Sequence, residues 1–221
     1  MGAAIGQTLS NAVGVAISPI PVIALILMLF SNKAKVNSLS FLVGWVGGLV
    51  AAGAIVLAIG FEQSADGSND SNGYLKIAIG ALFLVLAVRN WRMRPKDGEE
   101  PEMPAWMASI DDFSPVKAFG MAFLLAAVNP KNLGLTVAAS SSISAAGLES
   151  GEEYVVLGVF VLLASASVIV PVVFYLAMGP KAEAPLNSAK QWLITNNHTV
   201  MAVLLLVLGA KVLGDGISAL S

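Results

Sequence analysis

Long apolar runs separated by short charged clusters set the pattern of this chain. Stretches without a single Asp, Glu, Lys or Arg cover 1–32, 36–61, 154–180 and 191–210. A helix needs about 20 apolar residues to cross the hydrocarbon core of a bilayer, so each of these predicts a membrane span. Two further runs need argument. Ile77–Val88 is short, but Lys76 and Arg89 can snorkel toward the interfaces, which extends a span to roughly Gly73–Trp91. Ala118–Leu148 is uncharged except for Lys131 near its middle. The expectation is an all-α integral membrane protein with six transmembrane helices.

Charge between the runs predicts orientation. The first loop holds Lys33 and Lys35, the third Arg92, Arg94 and Lys96, and the fifth Lys181 and Lys190. The second loop (Glu62, Asp66, Asp70) and the fourth (Glu149, Glu152, Glu153) carry no Lys or Arg. Positive loops stay in the cytoplasm, so a bacterial inner-membrane protein with both termini outside is expected. In the third loop Met103, Trp106, Met107, Ile110 and Phe113 recur at helical spacing behind Pro104. That pattern fits a short amphipathic helix on the membrane face, or equally a linker packed on the bundle.

The two halves of the chain resemble each other. Ala-Ile-Ser-Pro-Ile-Pro at 16–21 aligns with Ala-Val-Asn-Pro-Lys-Asn at 127–132. Leu-Phe-Leu-Val-Leu-Ala-Val-Arg at 82–89 aligns with Leu-Leu-Leu-Val-Leu-Gly-Ala-Lys at 204–211. Each half holds three predicted spans, an odd number, so the second enters the membrane inverted. Inverted repeats with Pro- or Gly-interrupted helices at matching positions are a transporter architecture, with the site at the repeat interface. The expected division is residues 1–91 as the first repeat, 92–114 as a cytoplasmic loop, and 115–221 as the second repeat of a single membrane domain. The first and fourth helices are expected to break at Pro19/Pro21 and at Pro130.

Proline removes the N–H that would bond the carbonyl four residues back. Pro19 and Pro21 should free the carbonyls of Val15 and Ile17, and Pro130 that of Ala126. Such groups need partners inside a membrane, and Ser18, Asn129 and Asn132 sit beside the breaks. Lys131 is the sharpest residue, because a lone ammonium at the bilayer centre costs about 2.5–3.5 kcal/mol. No carboxylate falls in the middle of any predicted span. Lys131 therefore meets either an anionic ligand group or the freed carbonyls of a broken turn. Asn132, Thr136 and Ser140 follow at helical spacing as a polar stripe, and Ser165, Ser167 and Pro171 add polarity to the fifth span. The candidate substrate-binding set is Ser18, Pro19, Pro21, Asn129, Pro130, Lys131, Asn132, Thr136, Ser140, Ser165 and Ser167. Gly44 and Gly48 form G-x-x-x-G, a close helix crossing whose face would also let two copies pair as a homodimer.

Composition removes whole classes of function. The 221 residues are 57% hydrophobic and only 12% charged, against roughly a quarter charged in soluble domains. With no cysteine and one histidine, His198, thiolate metal sites and thiol redox chemistry are excluded. No phosphate-binding P-loop is present, and no basic or aromatic signature points to nucleic acid. No cleavable leader is visible, since the first positive residue is Lys33. Neither a nucleophile–base pair nor an acid pair sits at membrane depth, so no enzyme, metal or cofactor is expected.

The Ser-Pro-Ile-Pro element at 18–21, the Trp-Met-Ala-Ser-Ile-Asp-Asp-Phe-Ser-Pro stretch at 106–115 and Asn-Pro-Lys-Asn-Leu at 129–133 resemble the GAP/Sap family. These are glycopeptidolipid- and sulfolipid-addressing proteins, a branch of the lysine exporter (LysE) superfamily. The resemblance runs over essentially the whole chain. It implies six spans and movement of a cell-envelope glycolipid or related anionic amphiphile across or out of the inner membrane. Ser18, Pro19, Pro21, Asn129, Pro130, Lys131 and Asn132 would be its motif residues. Two alternatives stay open, a small-solute exporter of amino-acid-like molecules and a non-transporting scaffold for lipid-synthesis or export partners. Substrate identity, direction and energy source stay open too.

Overall fold

The computed structural model describes residues 1–59, 69–95, 105–149 and 151–220. Glu62, Asp66, Lys96, Met103 and Pro104 lie outside them. Among the described residues the chain is all helix: α1 (Gly2–Ala16), α2 (Pro19–Leu29), α3 (Ala34–Ile59), α4 (Asn69–Arg92), α5 (Pro115–Ala127), α6 (Pro130–Ser144), α7 (Glu152–Ala164), α8 (Ala166–Met178) and α9 (Glu183–Leu220). Short 3₁₀ turns cover Ala105–Asp112 and Gly179–Ala182.

Two stretches are long and apolar enough to cross a membrane, α3 and the run Ala166–Ser218. Two bent pairs reach the same standard jointly, α1 with α2 at 56° and α5 with α6 at 61°. The described helices thus supply two spans, or up to four with each bent pair counted as one. This makes the chain a membrane protein by length and composition, with fewer self-evident spans than the six expected. In α4, polar and charged residues at both ends (Asn69, Asp70, Arg89 and Arg92) shorten the apolar stretch. Helix α7, at 13 residues, is too short to span alone at about 1.5 Å rise per residue.

Two compact units form. The first comprises Met1–Gln63 with Met103–Gln191, and the second Ser64–Glu102 with Trp192–Ser221. Each predicted half therefore gives its first two spans to the first unit and its third to the second.

In the first unit α3 is the central post, packing against α2, α5, α6, α7 and α8. Phe41, Trp45 and Leu49 of α3 are fully buried with Phe160 of α7 and Leu25 of α2. The G-x-x-x-G face of α3 is consumed within the chain. A Cβ on Gly44 would overlap the Phe119 carbonyl oxygen of α5, and one on Gly48 would stand 2.8 Å from the Phe123 carbonyl oxygen. This close crossing packs the G-x-x-x-G face of α3 against α5. The 105–112 turn packs against α2, with Met107 and Ile110 buried. Asn37 of α3 donates to the Phe113 carbonyl at 2.9 Å.

The second unit is an antiparallel pair, α4 against α9 beyond Trp192. Backbone meets backbone at glycine, since a Cβ at Gly80 would lie 2.7 Å from the Leu213 amide nitrogen, and one at Gly216 2.8 Å from that of Ile77. Gly80→Ala must therefore push the two helices apart. Overpacking of this kind costs about 1–3 kcal/mol, which thermal unfolding of the detergent-purified variant should register as a lower midpoint.

Candidate functional site

The candidate site lies in the first unit, where the two broken helices touch. Each break follows from local chemistry. Pro19 and Pro130 stand at the first position of α2 and α6, where the missing N–H costs nothing and φ is already helical. Each also biases the residue before it out of the α region. Ser18 is accordingly extended (φ -127°, ψ 94°), and Asn129 leaves the helix at ψ 121°. Asn129 then caps α6, its Oδ1 accepting from the Lys131 amide at 3.0 Å. Losing an N-cap of this type costs about 1 kcal/mol, so Asn129→Ala should lower the thermal midpoint modestly and leave Asn129→Asp close to wild type.

The freed carbonyls of the first break are taken up across the contact. In an unbroken helix the Ser18 amide would bond Gly14; here it turns to the Ala16 carbonyl at 2.9 Å. The Gly14 carbonyl is left for Lys131, whose Nζ donates to it at 2.9 Å. Nζ also donates to the Ile17 carbonyl at 2.9 Å and to Ser18 Oγ at 2.6 Å. These three bonds use all three donors of the ammonium. The Val15 carbonyl, also expected to be free, accepts from Ser18 Oγ at 2.7 Å. Ser18 Oγ lies 3.1 Å from Asn132 Oδ1 as well, so one hydroxyl hydrogen stands between two acceptors.

At the second break the carbonyl that finds a side chain is Leu125, one residue before the expected Ala126. The Asn129 amide reaches back to Leu124 at 3.2 Å, leaving Leu125 to accept from Asn132 Nδ2 at 3.0 Å. Ser18, Lys131 and Asn132 thus form one hydrogen-bonded cluster joining α1 to α6.

Electrostatically the cluster is lopsided. Lys131 is only 8% exposed, and among the described residues no carboxylate pairs with it. The salt bridge present there joins Lys211 to Asp215 elsewhere. Its charge is stabilised by the C-terminal carbonyls of α1, the negative end of that helix. Close to the two breaks in sequence, Ile17, Val128 and Leu133 are exposed apolar residues.

The other candidates extend from this cluster. Thr136 and Ser140 are fully buried on the next two turns of α6, and neither hydroxyl has a partner. Pro21 is buried on α2. Ser165 at the α7–α8 junction and Ser167 in α8 also carry buried, unpartnered hydroxyls, and no hydrogen bond ties them to Lys131. Several buried polar residues escaped the sequence reading, among them Asn11 of α1, 8% exposed, and Trp45, whose Nε1 is buried without an acceptor. Asn11 could have been found from its spacing, three residues before Gly14 and seven before Ser18. Among the described residues no group of acidic, histidine or cysteine side chains is suited to a metal ion.

No curated protein and no solved structure is matched by the chain. One family model matches residues 9–218, which takes in both breaks, the Lys131 cluster and nearly all of α9. The chain belongs to the family described as Sap, sulfolipid-1-addressing protein.

Proposed function

We propose that this protein moves an anionic amphiphile, a cell-envelope glycolipid or its precursor, across or out of the inner membrane, with the charged headgroup passing the Lys131 cluster. The observation that carries the reading is a lysine buried at the contact of two broken helices, held by neutral acceptors and with no carboxylate partner among the described residues. Isolated charge in a membrane is costly, and an anionic group entering beside Lys131 would supply the missing counter-charge. The exposed Ile17, Val128 and Leu133 give acyl chains an apolar wall while the headgroup sits inside. The family description, which names a sulfolipid, supports an anionic lipid as cargo and a role in lipid export or localisation.

The reading includes six spans in two inverted repeats with both termini outside, and kinship to the wider GAP and LysE groups. The matched bends of 56° and 61° support it, as does the equal division of the two halves between the compact units. We assign the chain no catalytic reaction. Membrane lipids are its partners, and any envelope lipid-synthesis or export proteins would act beside it.

The test is lipid movement in proteoliposomes. Purified protein is reconstituted with a trace of headgroup-labelled anionic lipid, and outer-leaflet label is quenched with dithionite. The proposal predicts quenching well beyond the outer-leaflet half. Quenching that stops at half, together with release of a trapped labelled amino acid, would favour a solute exporter instead. Quenching that stops at half with no release would favour a scaffold.

A further inference from the structure

The second unit carries an ion pair that lipid transport does not use. Lys211 Nζ stands 3.3 Å from Asp215 Oδ2, one turn apart on α9. Its level along the α4–α9 pair follows from the glycine contacts. A Cβ on Gly209 would lie 3.0 Å from Leu84 and 3.1 Å from the Gly80 carbonyl oxygen. One on Gly80 would meet the Leu213 amide nitrogen, and one on Gly216 that of Ile77. Lys211, between Gly209 and Leu213, is therefore level with 80–84 of α4, and Asp215, between Leu213 and Gly216, with 77–80. Both levels fall within the uncharged run Ile77–Val88. The uncharged run of α9 stops at 210, but the helix continues to Leu220 and carries the pair alongside the apolar stretch of its neighbour.

The pair does not share the face that Gly209 and Gly216 press onto α4. Both of its side chains are 54% exposed. Val207, one turn before Lys211, is exposed too, and nothing lies within 4 Å of a Cβ at Gly214. Gly44 and Gly48 are packed on α5; Gly214 is open. Two paired charges in hydrocarbon lose hydration that their attraction need not repay. Charged residues at membrane depth accordingly face protein or a water-filled cavity rather than lipid.

We infer that the stripe of α9 formed by Val207, Lys211, Gly214 and Asp215 is where a second copy of this chain docks. The charges argue for a copy of the same chain. Two-fold pairing needs a self-complementary surface, and a stripe bearing one positive and one negative group provides it. Copies inserted in the same sense run their α9 helices parallel. The second copy's aspartate then stands about 6 Å along the axis from Lys211, the same offset as the chain's own. Each lysine can bridge both aspartates, and the four charges close on one another. Gly214 lets the two backbones approach. A single anionic lipid would satisfy Lys211 but set its own charge against Asp215. The inference rests on the reading of α4 and α9 as membrane helices and on nothing about the cargo.

The chain has no native cysteine, so single introduced thiols report pairing directly. Gly214→Cys lies in the stripe, and Leu206→Cys is exposed but about 140° around the helix from Lys211. Each is oxidised in native membranes with copper phenanthroline and run unreduced on a denaturing gel. A disulfide needs Cβ atoms within about 4.5 Å. Gly214→Cys should give a covalent dimer and Leu206→Cys should stay monomeric. Adding Lys211→Asp to Gly214→Cys sets four carboxylates together and should abolish the dimer. Adding Asp215→Lys as well restores both signs and should bring it back, which separates lost attraction from lost folding. A dimer from both thiols alike, from neither, or from Gly214→Cys despite Lys211→Asp would overturn the inference. So would a cross-link to a different protein. Free reaction of Gly214→Cys with a charged, membrane-impermeant maleimide would overturn it too, and would also remove this part of α9 from the membrane. Lipid movement plays no part in these readouts, so failure of the transport reading is separately visible.

Discussion

Lys131→Met should abolish most movement of anionic lipid while the protein still folds. The substitution keeps much of the side chain's apolar length and removes three hydrogen bonds, those to Gly14, Ile17 and Ser18. A hydrogen bond involving a charged group is worth about 1.5–3 kcal/mol. If that interaction is exchanged for a headgroup contact during passage, its loss slows translocation about 10- to 100-fold. Stability should fall as well, because the Gly14 and Ile17 carbonyls lose their donor at about 1–3 kcal/mol each. The two effects separate in Ser18→Ala, which leaves the ammonium and both carbonyl bonds in place. That variant should lose less than Lys131→Met in rate, and its zwitterionic-lipid background should not change. A Lys131→Met protein with a lower thermal midpoint but unaltered dithionite kinetics would make the lysine a structural staple between two broken helices and nothing more.

The second large effect belongs to the α3–α5 crossing. Gly44→Ala places a methyl group on the Phe119 carbonyl oxygen, where both partners are helix backbone and neither can swing aside. The α3–α5 crossing must open, at a cost of about 3 kcal/mol. Gly47→Ala makes the same chemical change where nothing lies within 4 Å. It should be neutral or slightly stabilising, since alanine favours helix over glycine by about 1 kcal/mol. Thermal unfolding of the two purified variants measures the difference. Equal midpoints would mean that this crossing does not hold the first unit together.

The breaks were legible in the sequence because proline acts locally. Ser-Pro at 18–19 and Asn-Pro at 129–130 end one helix and begin another whatever surrounds them. The lysine's want of a carboxylate partner was legible for a similar reason, since none stands at its depth along the chain, but whether a ligand or the freed carbonyls would meet it was left open. Which carbonyls it would take was not. The break rotates the Ser18 amide onto Ala16, which releases Gly14, while the Ser18 hydroxyl satisfies Val15 itself. That exchange depends on backbone angles at three residues and leaves no trace in composition.

Long-range pairing was the least legible. The G-x-x-x-G motif announced a close crossing but not its partner helix, which is α5. The likeness of the third and sixth predicted spans gave no hint that they would pair as a unit of their own. Close approaches such as Gly80 to Leu213 join positions 133 residues apart in the chain. Asn11 was passed over because it lies about two turns before Ser18, and only the fold shows that it is buried.

The most direct test of the central claim is to ask what touches the cluster. An anionic lipid bearing a photoreactive group on its headgroup is reconstituted with wild-type protein, illuminated, and the adducts mapped by peptide mass spectrometry. The account predicts adducts in 11–18 and 129–140, suppressed by excess unlabelled anionic lipid and absent in Lys131→Met. Adducts confined to the loop ends of the helices, with none at either break, would contradict it.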